Sequence, residues 1–247
     1  SEITMVNSST KMLILAGGFG TRLQSAVSSV PKPMAPINGV PLLQLQLDHW
    51  INQGQRSFIF LLHHQSEIII DFLVHRSRHY GPAVSIEWLV EDVPLGTGGS
   101  VSNVIIKKKL TGFVLIANAD TWFECGLREM IRVEFPTIGV VKVKDTSRYG
   151  SVSLDQEGRI DRFVEKNLDL GAHQSGLINA GLYKLPTSAF NEIGRKAFSL
   201  EAKILPQLSE SKVLRSLLME GQFFDIGVPK DYYEFCRWLD LGKKNHG

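Results

Sequence analysis

A glycine-rich segment near the start of the sequence has the composition of an anion-binding loop. Residues 16–23 read Ala-Gly-Gly-Phe-Gly-Thr-Arg-Leu and directly follow an apolar run. Glycines let the backbone turn its N–H groups toward an anion, and the guanidinium of Arg22 suits phosphate oxygens. The segment lacks the ending of a P-loop, and Leu23 stands where a dinucleotide-binding fingerprint has its third glycine. It therefore predicts a phosphate or nucleotide site, with a tight strand-to-helix turn as the alternative.

A lysine between two prolines follows ten residues after Arg22. In Pro31-Lys32-Pro33-Met34 the two prolines restrict the backbone, so Lys32 is expected on a stiff, extended segment. An isolated lysine is usually solvated, whereas one held shortly after a glycine loop is suited to act as a fixed cation beside a phosphate.

Together, these two segments resemble the signature of the sugar-1-phosphate nucleotidylyltransferase family, and the resemblance extends over about residues 11–233. Further motifs that resemble the family follow in the expected order at residues 95–99, 118–120, 165–166, 179–181 and 225–227. Residues 95–99 resemble the family's base-binding loop, and residues 225–229 are expected to form a loop before the last helix. The resemblance implies transfer of a nucleoside monophosphate from a nucleoside triphosphate to a sugar 1-phosphate, with release of pyrophosphate and with Mg²⁺ as cofactor.

The resemblance also implies a role for each matching residue. Arg22 would hold the triphosphate, Lys32 would lie near the α-phosphate, and Lys166 would hold the phosphate of the sugar. Asp120 and Asp225 would bind the metal, because Mg²⁺ prefers carboxylate and phosphate oxygens. The nucleotide-binding residues would be Ala16, Gly17, Gly18, Gly20, Thr21, Glu91, Gly96 and Thr97. The sugar-phosphate-binding residues would be Gly150, Glu165, Lys166 and Asn179, with Glu201 as a weaker candidate.

Glu91 bears on the choice of base. Family members that use uridine or thymidine triphosphate commonly have a glutamine where Glu91 stands. A carboxylate only accepts hydrogen bonds, and guanine offers two donors on one edge. The residue therefore favours GTP, although backbone groups could also supply the pattern that another base requires.

Several motifs resemble the D-glycero-α-D-manno-heptose 1-phosphate guanylyltransferases in particular. Residues 32–37, 94–99, 148–150 and 224–229 all resemble that group. Ala119 replaces a common glycine, and Ala180 stands where a glycine is common in the heptose group. Mannose, glucosamine, glucose and N-acetylmuramic acid 1-phosphates therefore remain alternative acceptors.

Two interpretations from other classes also remain open: a glycosyltransferase that consumes a nucleotide sugar, and a non-catalytic sugar-nucleotide sensor. Arg22, Lys32 and Lys166 argue against the glycosyltransferase, because three cations suit two separate phosphate groups. The presence of both Asp120 and Asp225 argues against a sensor that has lost the reaction.

Alternating strands and helices predict the sheet that must position these residues. Buried strands are expected at residues 12–16, 57–62, 84–90 and 113–117, and helices at 41–53, 67–79, 199–208 and 230–241, the third of them capped by Ser199. This pattern predicts a single-domain α/β three-layer sandwich with a mostly parallel, Rossmann-like mixed sheet. Closely spaced strand candidates at residues 139–144, 150–154 and 159–164 predict a small antiparallel insertion. Ligands bind at the carboxyl ends of strands in such sheets, here the loops after residues 16, 90 and 117.

Composition limits the remaining possibilities. The 247 residues carry a net charge of +2, and 43% are apolar, which is typical of a globular protein. The polar start predicts a flexible tail over residues 1–10, and the family resemblance implies one nucleotidyltransferase domain over 11–247. Nucleic-acid and membrane partners are not expected, since there is no long basic block and no apolar run of ~18 residues. Two isolated cysteines favour a reducing compartment, so we expect a cytoplasmic location. We also expect a monomer or a small homo-oligomer.

Overall fold

The computed structural model describes residues 10–18, 29–164, 174–191 and 196–244. The strands in these parts are β1 (Met12–Leu15), β2 (Pro36–Ile37), β3 (Val40–Pro41), β4 (Ser57–Leu62), β5 (Ser85–Val90), β6 (Phe113–Asn118), β7 (Thr121–Phe123), β8 (Thr137–Val143), β9 (Ser151–Leu154), β10 (Ile160–Val164), β11 (Gly176–Pro186), β12 (Arg215–Leu218) and β13 (Phe223–Asp225). The helices are α1 (Leu42–Asn52), α2 (Ser66–Tyr80), α3 (Gly96–Lys108), α4 (Leu127–Arg132), α5 (Leu200–Glu210) and α6 (Pro229–Lys244).

A mixed sheet of nine strands, counted within the described residues, organises the fold. Its main path runs β10-β9-β11-β6-β1-β4-β5, and β8 pairs with β11 and β12 beside this path. The strands β6, β1, β4 and β5 are parallel, as the alternation of strands and helices predicts. The predicted antiparallel insertion corresponds to β8–β11, which extends the same sheet rather than forming a layer of its own.

Helices cover both faces of the sheet, which confirms the predicted three-layer sandwich. All six residues of β4 are buried. Phe58 and Phe60 point to one apolar cluster, which α1 and α2 complete, whereas Ile59 and Leu61 point to a second cluster with α3 and α5. A strand buried on both faces has a continuous apolar sequence because its side chains alternate between two cores.

A third apolar cluster lies at the end of the sheet where α6 packs. Its aromatic residues Trp122, Phe224, Tyr232 and Phe235 contact the segment that follows Lys32. The hydroxyl of Tyr232 donates a hydrogen bond to the backbone oxygen of Pro36. This cluster therefore ties three chain segments together: residues 32–42, the turn at β7, and the end of β13.

The predicted tail and the predicted domain boundary lie where the described residues begin. Residues 1–9 of the predicted tail lie outside the described residues, and the backbone oxygen of Thr10 accepts a hydrogen bond from Gln55 at 3.0 Å. The domain boundary at residue 11 thus stays a prediction. None of the described helices has the length and apolar character needed to cross a membrane.

Candidate active site

Two adjoining cavities open at the carboxyl ends of the parallel strands, where the fold predicts a ligand site. The first has a volume of about 330 Å³ and extends from β1 to the start of α3. The second has a volume of about 530 Å³ and lies over β11 and the β9–β10 hairpin. Asn118 and Asp120 line both cavities, so Asp120 stands at the boundary between them.

The backbone after β1 forms one wall of the first cavity. The N–H of Ala16 donates to the oxygen of Leu61 at 3.0 Å, which continues the pairing with β4. A Cβ on Gly17 would lie 3.3 Å from the Cβ of His63, so a larger residue would crowd the cavity wall. The structure brings the predicted residues Ala16, Gly17 and Gly18 to this cavity. Gly20, Thr21 and Arg22 lie outside the described residues.

Glu91 lies at the opposite wall, just after β5, and is only 8% exposed. Its backbone N–H donates to Leu62, and its backbone oxygen lies 2.7 Å from Nδ1 of His63. Its side-chain Oε1 is buried and has no hydrogen-bond partner among the described residues. A buried acceptor without a partner is costly, so this oxygen is well placed to receive a donor from a bound ligand.

The glycines of residues 96–99 were expected to form a base-binding loop, but they form the first turn of α3 instead. A Cβ on Gly96 would lie 2.6 Å from the backbone oxygen of Phe198, and one on Gly98 would lie 2.1 Å from the Phe198 ring. These glycines therefore let α3 pack closely against the segment before α5. Gly96 and Thr97 still line the first cavity.

The two predicted metal ligands come together through the pairing of two short strands. Asp225 pairs with Thr121, the neighbour of Asp120. The backbone N–H of Ile226 donates to the backbone oxygen of Asp120 at 2.8 Å. Asp225 was expected in a loop, but it is the last residue of β13. Its Oδ1 accepts from the N–H of Gly227 at 3.0 Å. Two carboxylates on adjoining turns are a donor set suited to a divalent cation.

A buried glutamine fixes the turn that carries Asp120. The side chain of Gln46 donates from α1 to the backbone oxygen of Thr121 at 2.8 Å and approaches that of Ala119 at 3.4 Å. The N–H of Ala119 donates to Leu15. Gln46 is fully buried on an otherwise apolar helix face, and a polar residue at a core position of a helix is the signal in the sequence for such a role.

Lys32 contacts Asp120 directly, with Nζ 2.8 Å from Oδ2. The lysine side chain is 14% exposed and that of the aspartate 27%. Pro31 is extended, as expected, but Lys32 begins a single turn of 3-10 helix and is not itself extended. The pairing places a cation beside the carboxylate at the boundary of the two cavities.

The second cavity gathers the predicted sugar-side residues Gly150 and Asn179, together with Glu201. Asn179 donates from Nδ2 to the hydroxyl of Tyr183 at 2.8 Å, and its Oδ1 accepts from the N–H of Gly181 at 2.8 Å. Gly181 has a φ of +74°, and a Cβ there would lie 2.8 Å from the amide of Asn118. Glu165 and Lys166 lie outside the described residues.

Sequence reasoning missed several residues that shape the second cavity. Tyr149 lines it, and burial together with the negative charges of Asp231 and Asp225 raises the pKa of this phenol to about 12. Next to it, Arg148 forms two hydrogen bonds with the carboxylate of Asp231, at 3.0 and 2.9 Å. This ion pair fastens the loop before β9 to the first turn of α6, which follows the Asp225 turn. Residues 148–150 form one of the family-like motifs, so the motif itself was the available signal.

A mixed α/β sheet with a glycine-lined cavity, a second cavity and two carboxylates at their boundary defines a nucleotide-dependent transferase. Residues 11–244 match the family model described as "Nucleotidyl transferase", and the chain belongs to this family. The resemblance to sugar-1-phosphate nucleotidylyltransferases is thereby confirmed, as is the prediction of an enzyme.

Relatives of known function cover nearly the whole chain. It is 33% identical over 225 residues to the D-glycero-alpha-D-manno-heptose 1-phosphate guanylyltransferase of Campylobacter jejuni, which covers 90% of this chain and 97% of the relative. It is 34% identical over 246 residues to the mannose-1-phosphate guanyltransferase of Pichia angusta, covering 95% of this chain but 66% of that relative.

Solved structures agree with the fold. HddC from Yersinia pseudotuberculosis, in complex with GMP-PN, superposes with a TM-score of 0.79 at 31% identity, covering 93% of this chain and 99% of that chain. A putative glucose-1-phosphate thymidylyltransferase from Bacillus anthracis superposes with a TM-score of 0.77 at 17% identity, which shows a shared fold.

Proposed function

We propose that this enzyme transfers guanosine monophosphate from GTP to D-glycero-α-D-manno-heptose 1-phosphate and releases pyrophosphate. The observation that carries the proposal is the placement of Asp120 and Lys32 where the two cavities meet. GTP would occupy the first cavity and the sugar phosphate the second, so the α-phosphate of GTP would lie between them. The name of the relative from Campylobacter jejuni supports both substrates, and the GMP-PN bound to HddC from Yersinia pseudotuberculosis supports a guanine nucleotide.

Glu91 would select the base. Its buried Oε1 lacks a partner among the described residues, and guanine can offer donors from its ring N–H and its amino group. A carboxylate cannot donate in return, so uracil would meet a poorer pattern at this position. The backbone of Ala16 and Gly17 would face the base from the other wall.

Nucleotidyltransferases of this kind generally use a divalent metal, and Asp120 with Asp225 would hold Mg²⁺ here. When bound, the ion would neutralise part of the phosphate charge. Lys32 Nζ lies 2.8 Å from Asp120, so the lysine would share this carboxylate or move toward the α-phosphate when substrates bind.

The reaction itself needs no covalent intermediate with the protein. An oxygen of the sugar phosphate would attack the α-phosphorus, the bond from that phosphorus to its bridging oxygen would break, and pyrophosphate would leave. Catalysis of this type rests on positioning and charge stabilisation. Lys32 would stabilise the charge that builds up at the α-phosphate. Arg22 would hold the triphosphate, and Glu165 and Lys166 would bind the sugar phosphate.

Mannose 1-phosphate is the second candidate acceptor. The Pichia angusta relative is named a mannose-1-phosphate guanyltransferase and is as similar in sequence as the heptose relative. This chain spans 66% of the length of that relative, however, against 97% for the heptose relative, so the heptose phosphate is preferred.

We also propose a cytoplasmic monomer or small homo-oligomer. Cys125 and Cys236 are both free thiols, which suits a reducing compartment. Light scattering of the purified protein would measure its oligomeric state.

The test of the proposed function is pyrophosphate release with Mg²⁺ over four nucleoside triphosphates and a panel of hexose and heptose 1-phosphates. GTP with the manno-heptose phosphate should give the highest kcat/KM. Preference for mannose 1-phosphate would correct the acceptor only, whereas preference for UTP would correct the role of Glu91. If no pair of substrates releases pyrophosphate faster than the same mixture with its metal chelated, the proposed reaction is refuted.

A further inference from the structure

Two hydrogen-bonded pairs of polar side chains, Thr97 with Glu201 and Asn179 with Tyr183, lie between the first cavity and the second. Thr97 lines the first cavity, and Asn179 lines the second. Glu201 and Tyr183 stand between them. Thr97 and Glu201 are 104 positions apart in sequence, so only the tertiary fold brings them together.

The hydroxyl of Thr97 is already engaged within the protein. It donates to Oε2 of Glu201 at 2.7 Å and accepts from the backbone N–H of Leu200 at 2.9 Å. A threonine hydroxyl has a single proton to donate, and Glu201 receives it. Thr97 therefore has no proton left for a phosphate or ribose oxygen, although it lines the nucleotide cavity.

Glu201 is held from two sides in the first turn of α5. Its Oε2 accepts from Thr97 and also from the hydroxyl of Ser199 at 3.0 Å. Ser199 is in turn the N-cap of α5 and accepts from the N–H of Ala202. These contacts fix the direction in which the carboxylate of Glu201 faces the second cavity.

Tyr183 completes the link to Asn179. The phenol is 1% exposed, its oxygen accepts a hydrogen bond from Nδ2 of Asn179, and it lines the second cavity together with Glu201. Burial first, and then the charge and hydrogen bond of Glu201, raise the pKa of Tyr183 far above that of a free tyrosine. A neutral tyrosine thus joins the carboxylate to the amide that faces the sugar side.

We propose that Thr97 and Glu201 are positioning residues for the sugar phosphate, although Thr97 lines the nucleotide cavity. The inference rests on the proposed function, because it assigns one cavity to each substrate. Through Glu201 and Tyr183, the hydroxyl of Thr97 holds the amide of Asn179 in the orientation that the sugar phosphate requires. The loss of this hydroxyl then affects the acceptor rather than GTP.

The test is a steady-state comparison of the full chain with Thr97→Val, Thr97→Ser and Glu201→Gln. Thr97→Val keeps the shape of the side chain but removes the hydroxyl, and should raise KM for the sugar phosphate about tenfold or more, since it breaks a hydrogen bond to a charged group. The KM for GTP should change by about twofold or less, because in this proposal the hydroxyl of Thr97 makes no hydrogen bond to GTP. Thr97→Ser keeps the hydroxyl and should restore the KM of the wild-type enzyme. Glu201→Gln should resemble Thr97→Val.

A matched control separates positioning from a general loss of stability. Ser209 lies on the same helix, and its hydroxyl donates to the backbone oxygen of Ile160 at 2.9 Å. Ser209→Ala should therefore lower stability comparably but leave both KM values unchanged. Thermal unfolding of all variants would verify that they are folded at the assay temperature.

Two further outcomes distinguish the failure of this inference from the failure of the proposed function. An active wild-type enzyme in which Thr97→Val raises KM for GTP, and not for the sugar phosphate, would overturn the inference alone. Titration calorimetry with Mg-GTP tests the same point without turnover, because Thr97→Val should leave the dissociation constant unchanged. If the wild-type protein neither releases pyrophosphate nor binds GTP, both the proposed function and this inference are refuted.

Discussion

Replacement of Glu91 by glutamine separates the role of this residue in binding from its effect on stability. The side chain is 8% exposed, and its Oε1 has no hydrogen-bond partner within the described residues. A hydrogen bond from guanine to a carboxylate should contribute ~1.5–3 kcal/mol. Since 1.4 kcal/mol corresponds to a factor of ten, Glu91→Gln should lower the ratio of kcat/KM for GTP over UTP by ~10- to 100-fold.

The same substitution should not destabilise the protein without its substrates. A buried carboxylate oxygen without a partner costs ~1–3 kcal/mol, and a neutral amide of the same shape is cheaper to bury than a carboxylate. The free energy of unfolding of Glu91→Gln should therefore equal that of the wild type or exceed it by ~1 kcal/mol. Urea denaturation without nucleotide measures this effect on stability, and pyrophosphate release measures the effect on base preference.

The matched control is Glu87→Gln, because Glu87 lies on β5, the strand that Glu91 follows, but pairs with Lys11 and Lys108 away from the cavity. That variant should leave the GTP to UTP ratio unchanged. If Glu91→Gln also leaves the ratio unchanged, backbone groups select the base. If it lowers the free energy of unfolding instead, the unpartnered carboxylate is not a cost in the unliganded state, and the reasoning fails.

Three other perturbations test different parts of the site. Lys32→Met should lower kcat by ~100- to 1000-fold with a smaller change in KM for GTP; a loss under about tenfold would remove Lys32 from the transition state. Arg148→Met strips the 7% exposed carboxylate of Asp231 of its partner and should lower the free energy of unfolding by ~1–2 kcal/mol, less than for a fully buried pair because the arginine is partly solvated. The addition of Asp231→Asn should recover part of this loss in urea denaturation, and additive losses would contradict it. Burial lowers the pKa of His49 below its ordinary 6.5, against the opposing hydrogen bonds and charge at Phe123 and Glu124. The unfolded chain therefore binds more protons below pH 6.5, so stability falls as the pH drops through that value and does not vary on this account above it. His49→Gln should weaken this fall in urea denaturation between about pH 7.5 and about pH 5.5, and an unchanged slope would contradict the assignment.

Local pattern was sufficient for most of the elements. The strand expected at residues 57–62 is β4, with the same bounds. A strand buried on both faces is a continuous apolar run, so the ends of the run mark the ends of the strand. Ser199 caps α5 as expected, since its hydroxyl accepts from Ala202. The glycine segment at residues 96–99 was assigned to a loop, because the contact that requires glycines there comes from Phe198, far along the chain.

The candidate site likewise has features that the sequence predicts and features that only the tertiary structure decides. Residue types and motif order were sufficient to identify the family. They also predict two carboxylates as metal ligands and three cations for phosphate, because phosphate chemistry at a metal admits few side chains. Only the tertiary structure decided that β13 pairs beside Asp120, that Lys32 contacts Asp120 at 2.8 Å, and that Thr97 reaches Glu201. These contacts join residues separated by about a hundred positions, and sequence spacing does not encode such distances. They depend on how the helices and strands pack around one sheet, which is a property of the whole chain.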